Sequence, residues 1–180
     1  MIAHALEPLA RTDLSYVLPG AEGGTWYPNS FLSPVADNQP RLDFALERMG
    51  DARQLLNDAG VEDGRIVWLD FSQGACLVTE YLARSQQRFA GLICFTGGLI
   101  GPTLASLTRP KAASGLPTFI TVSDHDEWIP LHRAEETAGI FRDAGAHVEF
   151  VVTANTPHEI VADAIERARQ LLQELSPANE

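Results

Sequence analysis

Residues 65–78 read RIVWLDFSQGACLV, an apolar run that breaks at a serine and a glycine and continues into helix-forming residues. This order predicts a strand, a sharp turn at Ser72 and a helix. A serine on such a turn projects its hydroxyl out of the sheet, and the N–H groups after it point towards a developing oxyanion. Ser72 is therefore a candidate nucleophile, and the backbone N–H of Gln73 is a candidate oxyanion donor. A simple turn serine is the alternative interpretation.

Two residues that could activate this serine follow it in the order acid, then histidine. Asp126 comes after the β-branched run at 117–122, and His158 comes after the run at 148–152. The loops that follow parallel strands meet at one edge of the sheet, where ligands bind in open α/β folds. Ser72, Asp126 and His158 are therefore expected to lie close together.

Other residues compete for the two partner positions. Asp124 competes with Asp126 for the acid position, but it is interpreted as a turn carboxylate. His158 is favoured by its place after the last strand; the histidines that compete with it are His4, His125, His132 and His147. The pair His125-Asp126 lacks the further ligands that a zinc or iron site needs, so no metal and no cofactor are expected.

The chain resembles the phospholipase/carboxylesterase family of α/β-hydrolases, from about residue 14 to about residue 172. The segments that carry the resemblance are Thr25-Trp26-Tyr27-Pro28, Ser30-Phe31-Leu32, Phe71-Ser72-Gln73-Gly74-Ala75, Gly97-Gly98-Leu99-Ile100-Gly101, the segment 126–130 and Pro157-His158. The resemblance implies an α/β-hydrolase fold in which Ser72 is the nucleophile, Asp126 the orienting acid and His158 the general base. It also implies hydrolysis of carboxylic esters or thioesters; lysophospholipids, acyl-protein thioesters and small aryl or alkyl esters all remain open as substrates.

The chain departs from the family pattern in two places. Asp70 stands where the family's turn begins with glycine. The family also has an upstream central strand and a His-Gly-rich loop that supplies a second oxyanion donor, and residues 1–12 read instead as the helix that would follow them. The chain is therefore expected to be truncated at its amino end, with a gap beside the nucleophile strand.

These departures motivate a rival hypothesis, a non-catalytic hydrolase-like domain that acts as a binding module. A hydrolase with a cysteine nucleophile is a weaker alternative, because neither Cys76 nor Cys94 lies at the turn.

Short β-branched runs alternate with amphipathic stretches, which predicts a mostly parallel sheet flanked by helices. Strands are predicted at 14–18, 65–70, 91–96, 117–122 and 148–152, and helices at 2–11, 40–59, 74–86, 132–145 and 158–174. In the second helix a stripe predicted to face the core comprises Leu42, Ala45, Leu46, Met49, Ala52, Leu55 and Leu56. Two long irregular segments, 19–40 and 97–116, are expected to border the site. Apolar side chains predicted to bind substrate there, or on the Asp126 loop, are Trp26, Tyr27, Phe31, Leu99, Ile100 and Trp128.

Composition limits the class of protein. The 180 residues are 45% hydrophobic, as expected for a single domain over 1–180. A net charge of -11 disfavours nucleic acid or an anionic membrane as the partner, and a small ester or acyl compound is expected instead. The sequence shows no signal peptide or membrane-length apolar stretch, which predicts a cytoplasmic location and no stable membrane insertion. An uncovered sheet edge would favour a homodimer.

Overall fold

The computed structural model describes residues 5–104 and 110–176 of the chain. At its centre is a sheet of four parallel strands in the order β1-β2-β3-β4. The strands are β1 (Val67–Phe71), β2 (Gly91–Phe95), β3 (Pro117–Ser123) and β4 (His147–Thr153). The two central strands are buried almost throughout, as expected for a parallel sheet that is covered on both faces.

Helices lie between and beside these strands. They are α1 (Val35–Asn38), α2 (Arg41–Asp58), α3 (Ser72–Arg84), α4 (Leu131–Asp143) and α5 (Ala162–Leu175). Helix α3 connects β1 to β2, and α4 connects β3 to β4. Gly60 and Gly145 follow α2 and α4 with φ of 85° and 90°, the left-handed geometry in which glycine ends a helix.

The predicted α/β class, with a parallel sheet flanked by helices, is confirmed. The strands predicted near 65–70, 91–96, 117–122 and 148–152 are all present within two residues of their predicted bounds. Each contains β-branched or aromatic residues, and the two central strands are also buried on both faces, so that local preference and packing agree there.

The strand predicted at 14–18 is wrong. These residues form no regular element and do not join the sheet. Leu14 instead packs against the apolar cluster beside β1, and the Tyr16 hydroxyl donates a hydrogen bond to the carbonyl of Leu9 at 2.9 Å. A strand exists only where a neighbour supplies ladder hydrogen bonds, which apolar patterning alone cannot provide.

The structure corrects the helix predicted at 2–11 in the part of it that lies within the described residues. Residues 2–4 lie outside the described part of the chain. Beyond them Ala5 and Leu6 are helical and a 3-10 turn follows over Glu7–Leu9. Ala10 is already extended with ψ of 130°, so the helical part ends two residues before the predicted bound. The turn nevertheless buries Leu9, which is 1% exposed, against the sheet.

The two faces of the sheet pack different partners. Trp68 belongs to the cluster formed with α2, α3 and the 19–40 segment, whereas Val67, Leu69 and Phe71 face the cluster formed with α5. Alternate residues of a strand point to opposite faces. Asp70 is therefore on the α3 side of the sheet and Phe71 on the α5 side, which matters for the site.

Helix α2 confirms most of the predicted stripe and corrects one member. Leu42, Ala45, Met49 and Ala52 are buried, but Leu55 is 60% exposed. Leu55 points away from the core although the next residue, Leu56, packs against it, because consecutive side chains of a helix point in different directions. Leu42, by contrast, has no exposed surface.

This difference predicts unequal costs for the same truncation on one helix. Leu42→Ala should lower the free energy of unfolding by about 3 kcal/mol, since it leaves a cavity in the core. Leu55→Ala should cost less than about 1 kcal/mol. Urea denaturation of both variants measures the two values, and equal losses would contradict the packing described here.

Candidate active site

Ser72 is the first residue of α3 and follows directly on the last residue of β1. Its φ is 57°, in the left-handed region that a residue with a side chain seldom adopts. Such a conformation costs about 1–3 kcal/mol and persists only where the surroundings enforce it. It turns the chain from strand to helix within one residue and raises the hydroxyl above the end of the sheet, as the sequence predicted.

The Ser72 hydroxyl is hydrogen-bonded to the imidazole of His158. Its Nε2 lies 2.7 Å from Ser72 Oγ, and the side chain is 14% exposed. The residue lies in the loop after β4, four residues before α5 begins at Ala162, so the predicted helix start at 158 is corrected. Val161 is extended and packs with Ile160 onto the cluster under β1, which explains the later start. The imidazole ring also contacts the Phe71 ring, with centroids 4.7 Å apart.

Asp126 holds the other side of the imidazole. Its two carboxylate oxygens lie 2.9 and 2.8 Å from His158 Nδ1, and its side chain is fully buried. The same carboxylate accepts hydrogen bonds from the backbone N–H groups of Trp128 and Ile129 at 2.9 and 2.8 Å. Three donors therefore fix the carboxylate, and the carboxylate fixes the ring.

Asp124, the competing acid, lies elsewhere. Its Oδ1 contacts the His125 ring at 2.7 Å and accepts the backbone N–H of Asn155 at 2.7 Å, and these hydrogen bonds lower the pKa of its carboxyl. Asp124 thus closes a turn, as predicted. His125, His132 and His147 are exposed, and His4 lies outside the described residues.

The Ser72, His158 and Asp126 side chains form one hydrogen-bonded chain, in which the Asp126 side chain is buried and Ser72 is partly exposed. Because Asp126 binds Nδ1, that nitrogen carries the proton and Nε2 keeps the lone pair that faces Ser72. An imidazole in this tautomer can accept the serine proton, so the arrangement has the geometry that nucleophilic attack on a carbonyl requires.

Gln73, the predicted oxyanion residue, is the second residue of α3. N–H groups in the first turn of a helix have no carbonyl partner within the helix, and the partial positive charge of the helix amino end adds to theirs. Its backbone N–H is therefore suited to bind an anionic oxygen beside Ser72.

Only two of the predicted substrate-binding residues are appreciably exposed to solvent. Trp26 is half-buried and Trp128 is 66% exposed. The other four are packed into the main core and are at most 6% exposed, so their side chains present almost no surface to a ligand: Tyr27, Phe31, Leu99 and Ile100.

Buried polar groups fix the loop that contains Leu99 and Ile100. The Arg133 guanidinium donates to the carbonyl oxygens of Leu99 and Pro102 at 3.1 and 3.2 Å. Thr137 Oγ1 accepts the N–H of Leu99 at 3.0 Å, and Glu80 accepts that of Ile100 at 3.0 Å. The loop is thus part of the scaffold, and sequence patterning gave no sign of it because the partners lie 20 to 38 positions away.

Asp70 fits at the turn because Gly74 makes room for it. A Cβ on Gly74 would lie 2.1 Å from Asp70 Oδ2, so the carboxylate occupies the space that any other residue would fill. Asp70 Oδ1 accepts the N–H of Phe71 at 2.8 Å. Burial raises the pKa of the carboxyl to about 6, and this hydrogen bond opposes the shift. The His158 ring contacts the Phe71 ring at the opposite face of β1, so Asp70 is separated from the imidazole by the strand.

Neither cysteine is suited to replace the serine. Cys76 and Cys94 are both fully buried, and burial raises the pKa of both thiols, that of Cys94 to about 12. A protonated, buried thiol is not nucleophilic. Within residues 5–104 and 110–176, no cluster of three or more histidine, cysteine or acidic side chains could hold a metal ion. No helix in that part of the chain is long and apolar enough to cross a membrane.

Comparison with known proteins identifies the family of this chain and confirms its fold. The family described as Phospholipase/Carboxylesterase matches residues 6–176. A phospholipase/carboxylesterase from Dyadobacter fermentans DSM 18053 is 37% identical, with 84% of this chain aligned to 72% of that one at a TM-score of 0.79. Esterase PE8 is 20% identical over 84% and 70% of the two chains, with a TM-score of 0.71. SOBER1 of Arabidopsis thaliana is 14% identical over 95% and 90%, with a TM-score of 0.74, and shares the fold. No protein of curated function matches the chain in sequence.

The raised pKa of Asp70 predicts a pH-dependent stability. The folded protein holds this proton more tightly than the unfolded chain, so stability should fall as pH rises from about 4 to about 6 and then level off. Asp70→Asn should remove that dependence and raise the free energy of unfolding at pH 8 by about 3 kcal/mol, with little change at pH 4. Thermal or urea denaturation at the two pH values measures the effect. Asp51→Asn, on the exposed side of α2, is the control; the same gain in both variants, or a gain at pH 4 alone, would refute the explanation.

Proposed function

The chain belongs to the phospholipase/carboxylesterase family of α/β-hydrolases, and from that premise we propose that it cleaves carboxylic esters or thioesters through an acyl-enzyme formed on Ser72. A carboxylesterase-type hydrolase activity follows from the family itself. The observation that supports the finer proposal is the 2.7 Å contact between Ser72 Oγ and the imidazole of His158, which Asp126 orients from its other side.

The first half of the reaction forms the acyl-enzyme. Ser72 Oγ attacks the carbonyl carbon while its proton passes to His158 Nε2, and the carbonyl π electrons move to the oxygen. The N–H of Gln73 donates to this oxyanion. When the tetrahedral species collapses, the bond to the leaving alcohol or thiol breaks, and that group takes the proton from Nε2.

The second half releases the acyl group. Water attacks the acyl carbon and gives its proton to Nε2, and the second tetrahedral species returns that proton to Ser72 Oγ as the carboxylic acid leaves. Asp126 remains ionised throughout and stabilises the transient imidazolium. Its role is to hold the proton at Nδ1, so that the free lone pair stays at Nε2.

The aromatic surface near these groups favours substrates with an apolar acyl or aryl part. Trp128 follows Asp126 by two residues and is 66% exposed, and Trp26 is half-buried beside Gln73. Tryptophan contributes a large apolar surface and a single polar N–H. An acyl chain or an aryl leaving group could therefore displace water from both indoles.

The rival hypothesis, a non-catalytic binding module, was motivated in part by Asp70. The carboxylate packs on Gly74 and lies across β1 from the histidine, so its presence does not disturb the hydrogen-bonded chain. This removes one ground for the rival. Covalent labelling with a fluorophosphonate distinguishes the two, because only an activated serine reacts.

Ser72→Ala should abolish labelling by a fluorophosphonate and lower kcat on p-nitrophenyl acetate by at least about 10⁴-fold. Ser85→Ala, which changes the serine just beyond the opposite end of α3, is the matched control and should label like the parent protein. Intact-mass spectrometry and initial rates give the two readouts. Equal hydrolysis by the Ser72→Ala variant and the parent, or the absence of labelling in the parent, would defeat the proposal.

The two neighbouring aspartates give a second test. Asp126→Asn should lower kcat by about 10³- to 10⁴-fold, because an amide in that place favours the wrong imidazole tautomer. Asp124→Asn should change kcat by less than about threefold, since the carboxylate closes a turn at the surface. Steady-state kinetics on one ester compares them directly. A larger effect at Asp124 would reassign the acid.

A further inference from the structure

Gln73 has a side chain whose contacts the reaction does not explain. Its Oε1 accepts the backbone N–H of Trp26 at 2.9 Å and lies 3.1 Å from the Thr25 hydroxyl. Its Nε2 donates to the carbonyl of Tyr27 at 2.9 Å. The carboxamide therefore binds three consecutive residues that lie 46 to 48 positions away in the sequence.

These contacts need a primary amide. A carboxamide presents an acceptor and a donor side by side, as a peptide group does, and so it can satisfy an N–H and a C=O of an extended segment together. The partners at 25–27 belong to no strand or helix. Without the Gln73 amide, the N–H of Trp26 would lose its acceptor in a partly buried place, and the carbonyl of Tyr27 would keep only the Thr25 hydroxyl as a donor.

A side-chain amide also binds the backbone in the neighbouring part of the 19–40 segment. Asn38, which has no exposed surface, accepts the N–H of Asn29 at 2.8 Å and donates to the carbonyl of Ser30 at 3.1 Å. The irregular segment is thus fixed by amide side chains in place of a strand partner. Gln73 differs from Asn38 in one respect that matters, because it is bonded directly to the proposed nucleophile.

This position couples the loop to the reacting groups. The Tyr27 ring is 2% exposed and fills the core behind the segment, whereas Trp26 remains half-buried at the surface. Any shift of Gln73 moves the backbone N–H that faces the oxyanion, and any loosening of its side chain releases the backbone of Trp26. Arg41 and the Thr25 hydroxyl also bind this backbone, at Thr25 and Tyr27. Gln73 is the residue that ties it directly to the turn at Ser72.

We propose that the Gln73 carboxamide is a positioning group that fixes the Trp26 indole as the wall selecting the acyl group of the substrate. The proposal rests on the proposed function, since selection has meaning only for an acyl-transferring site. The backbone N–H of Gln73 meets the oxyanion, and its side chain acts on the substrate through Trp26. One residue thereby links charge stabilisation to acyl recognition.

A double-mutant cycle tests the link. Gln73→Met keeps the backbone N–H and the side-chain length but removes both amide contacts, and Trp26→Ala removes the wall. Each should change the ratio of kcat/KM for p-nitrophenyl octanoate over p-nitrophenyl acetate by about tenfold in the same direction. The double variant should match the single variants, because Gln73 acts through Trp26.

Gln54→Met provides the matched control. Gln54 lies on the exposed face of α2, where its amide donates to the Asp58 carboxylate at 2.7 Å, and the same exchange there should leave the ratio unchanged. Thr25→Val, which removes one hydroxyl, is a milder second variant and should shift the ratio less, in the same direction. An equal loss on both esters in Gln73→Met would overturn the proposal, as would effects of Gln73→Met and Trp26→Ala that multiply.

Amide hydrogen exchange separates this proposal from the proposed function. In Gln73→Met the Trp26 N–H loses its acceptor, so its exchange should accelerate by at least about tenfold, while Gln54→Met leaves it unchanged. Unchanged exchange in Gln73→Met would overturn the positioning role whether or not esters are hydrolysed. A parent protein that hydrolyses neither ester would instead overturn the proposed function, and with it the acyl selection, even if the exchange result holds.

Discussion

The left-handed backbone of Ser72 is the constraint on which the rest of the site depends. A residue with a side chain holds φ of 57° only when the elements on either side are fixed. Here β1 is fixed by its pairing with β2, and α3 is fixed by its buried face. Helix α3 also packs closely against the loop after β2, which needs glycine at Gly97, where a Cβ would lie 2.7 Å from the Cβ of Ala75. The strained backbone conformation of Ser72 is thus maintained by the packing of several other residues.

Buried polar side chains take over where regular structure ends. Glu80, Arg133 and Thr137 are each at most 3% exposed, and all three bind the backbone of the loop after β2. Asn38 and Gln73 do the same for the segment before α2. A buried N–H or C=O without a partner is costly, so loops of this length near a sheet edge are ordered only if side chains complete their hydrogen bonds. The chemistry of the site therefore has a rigid frame despite being built on loops.

Asp70 shows how a residue that appears unfavourable can be accommodated. A carboxylate beside the nucleophile turn would be expected to disturb the histidine, yet the alternation of a strand directs it to the α3 face, away from His158. The energetic cost of burying the Asp70 carboxylate is reflected in its raised pKa, and its position requires glycine at residue 74. The same alternation brings Phe71 against the imidazole, so two adjacent residues have opposite relations to the site.

The sequence by itself determined the four paired strands, the turn at Ser72 and the order of Asp126 and His158, because these follow from local preference and from the rule that loops after parallel strands share one edge. It also indicated that Asp124 is a turn residue. Only the tertiary structure decided that 14–18 is not a strand, that Leu99 and Ile100 belong to the core, and that the amide of Gln73 binds a segment 47 positions away. The reason is physical: burial and hydrogen-bond pairing between distant residues depend on which surfaces meet, and periodicity along the chain carries no information about that.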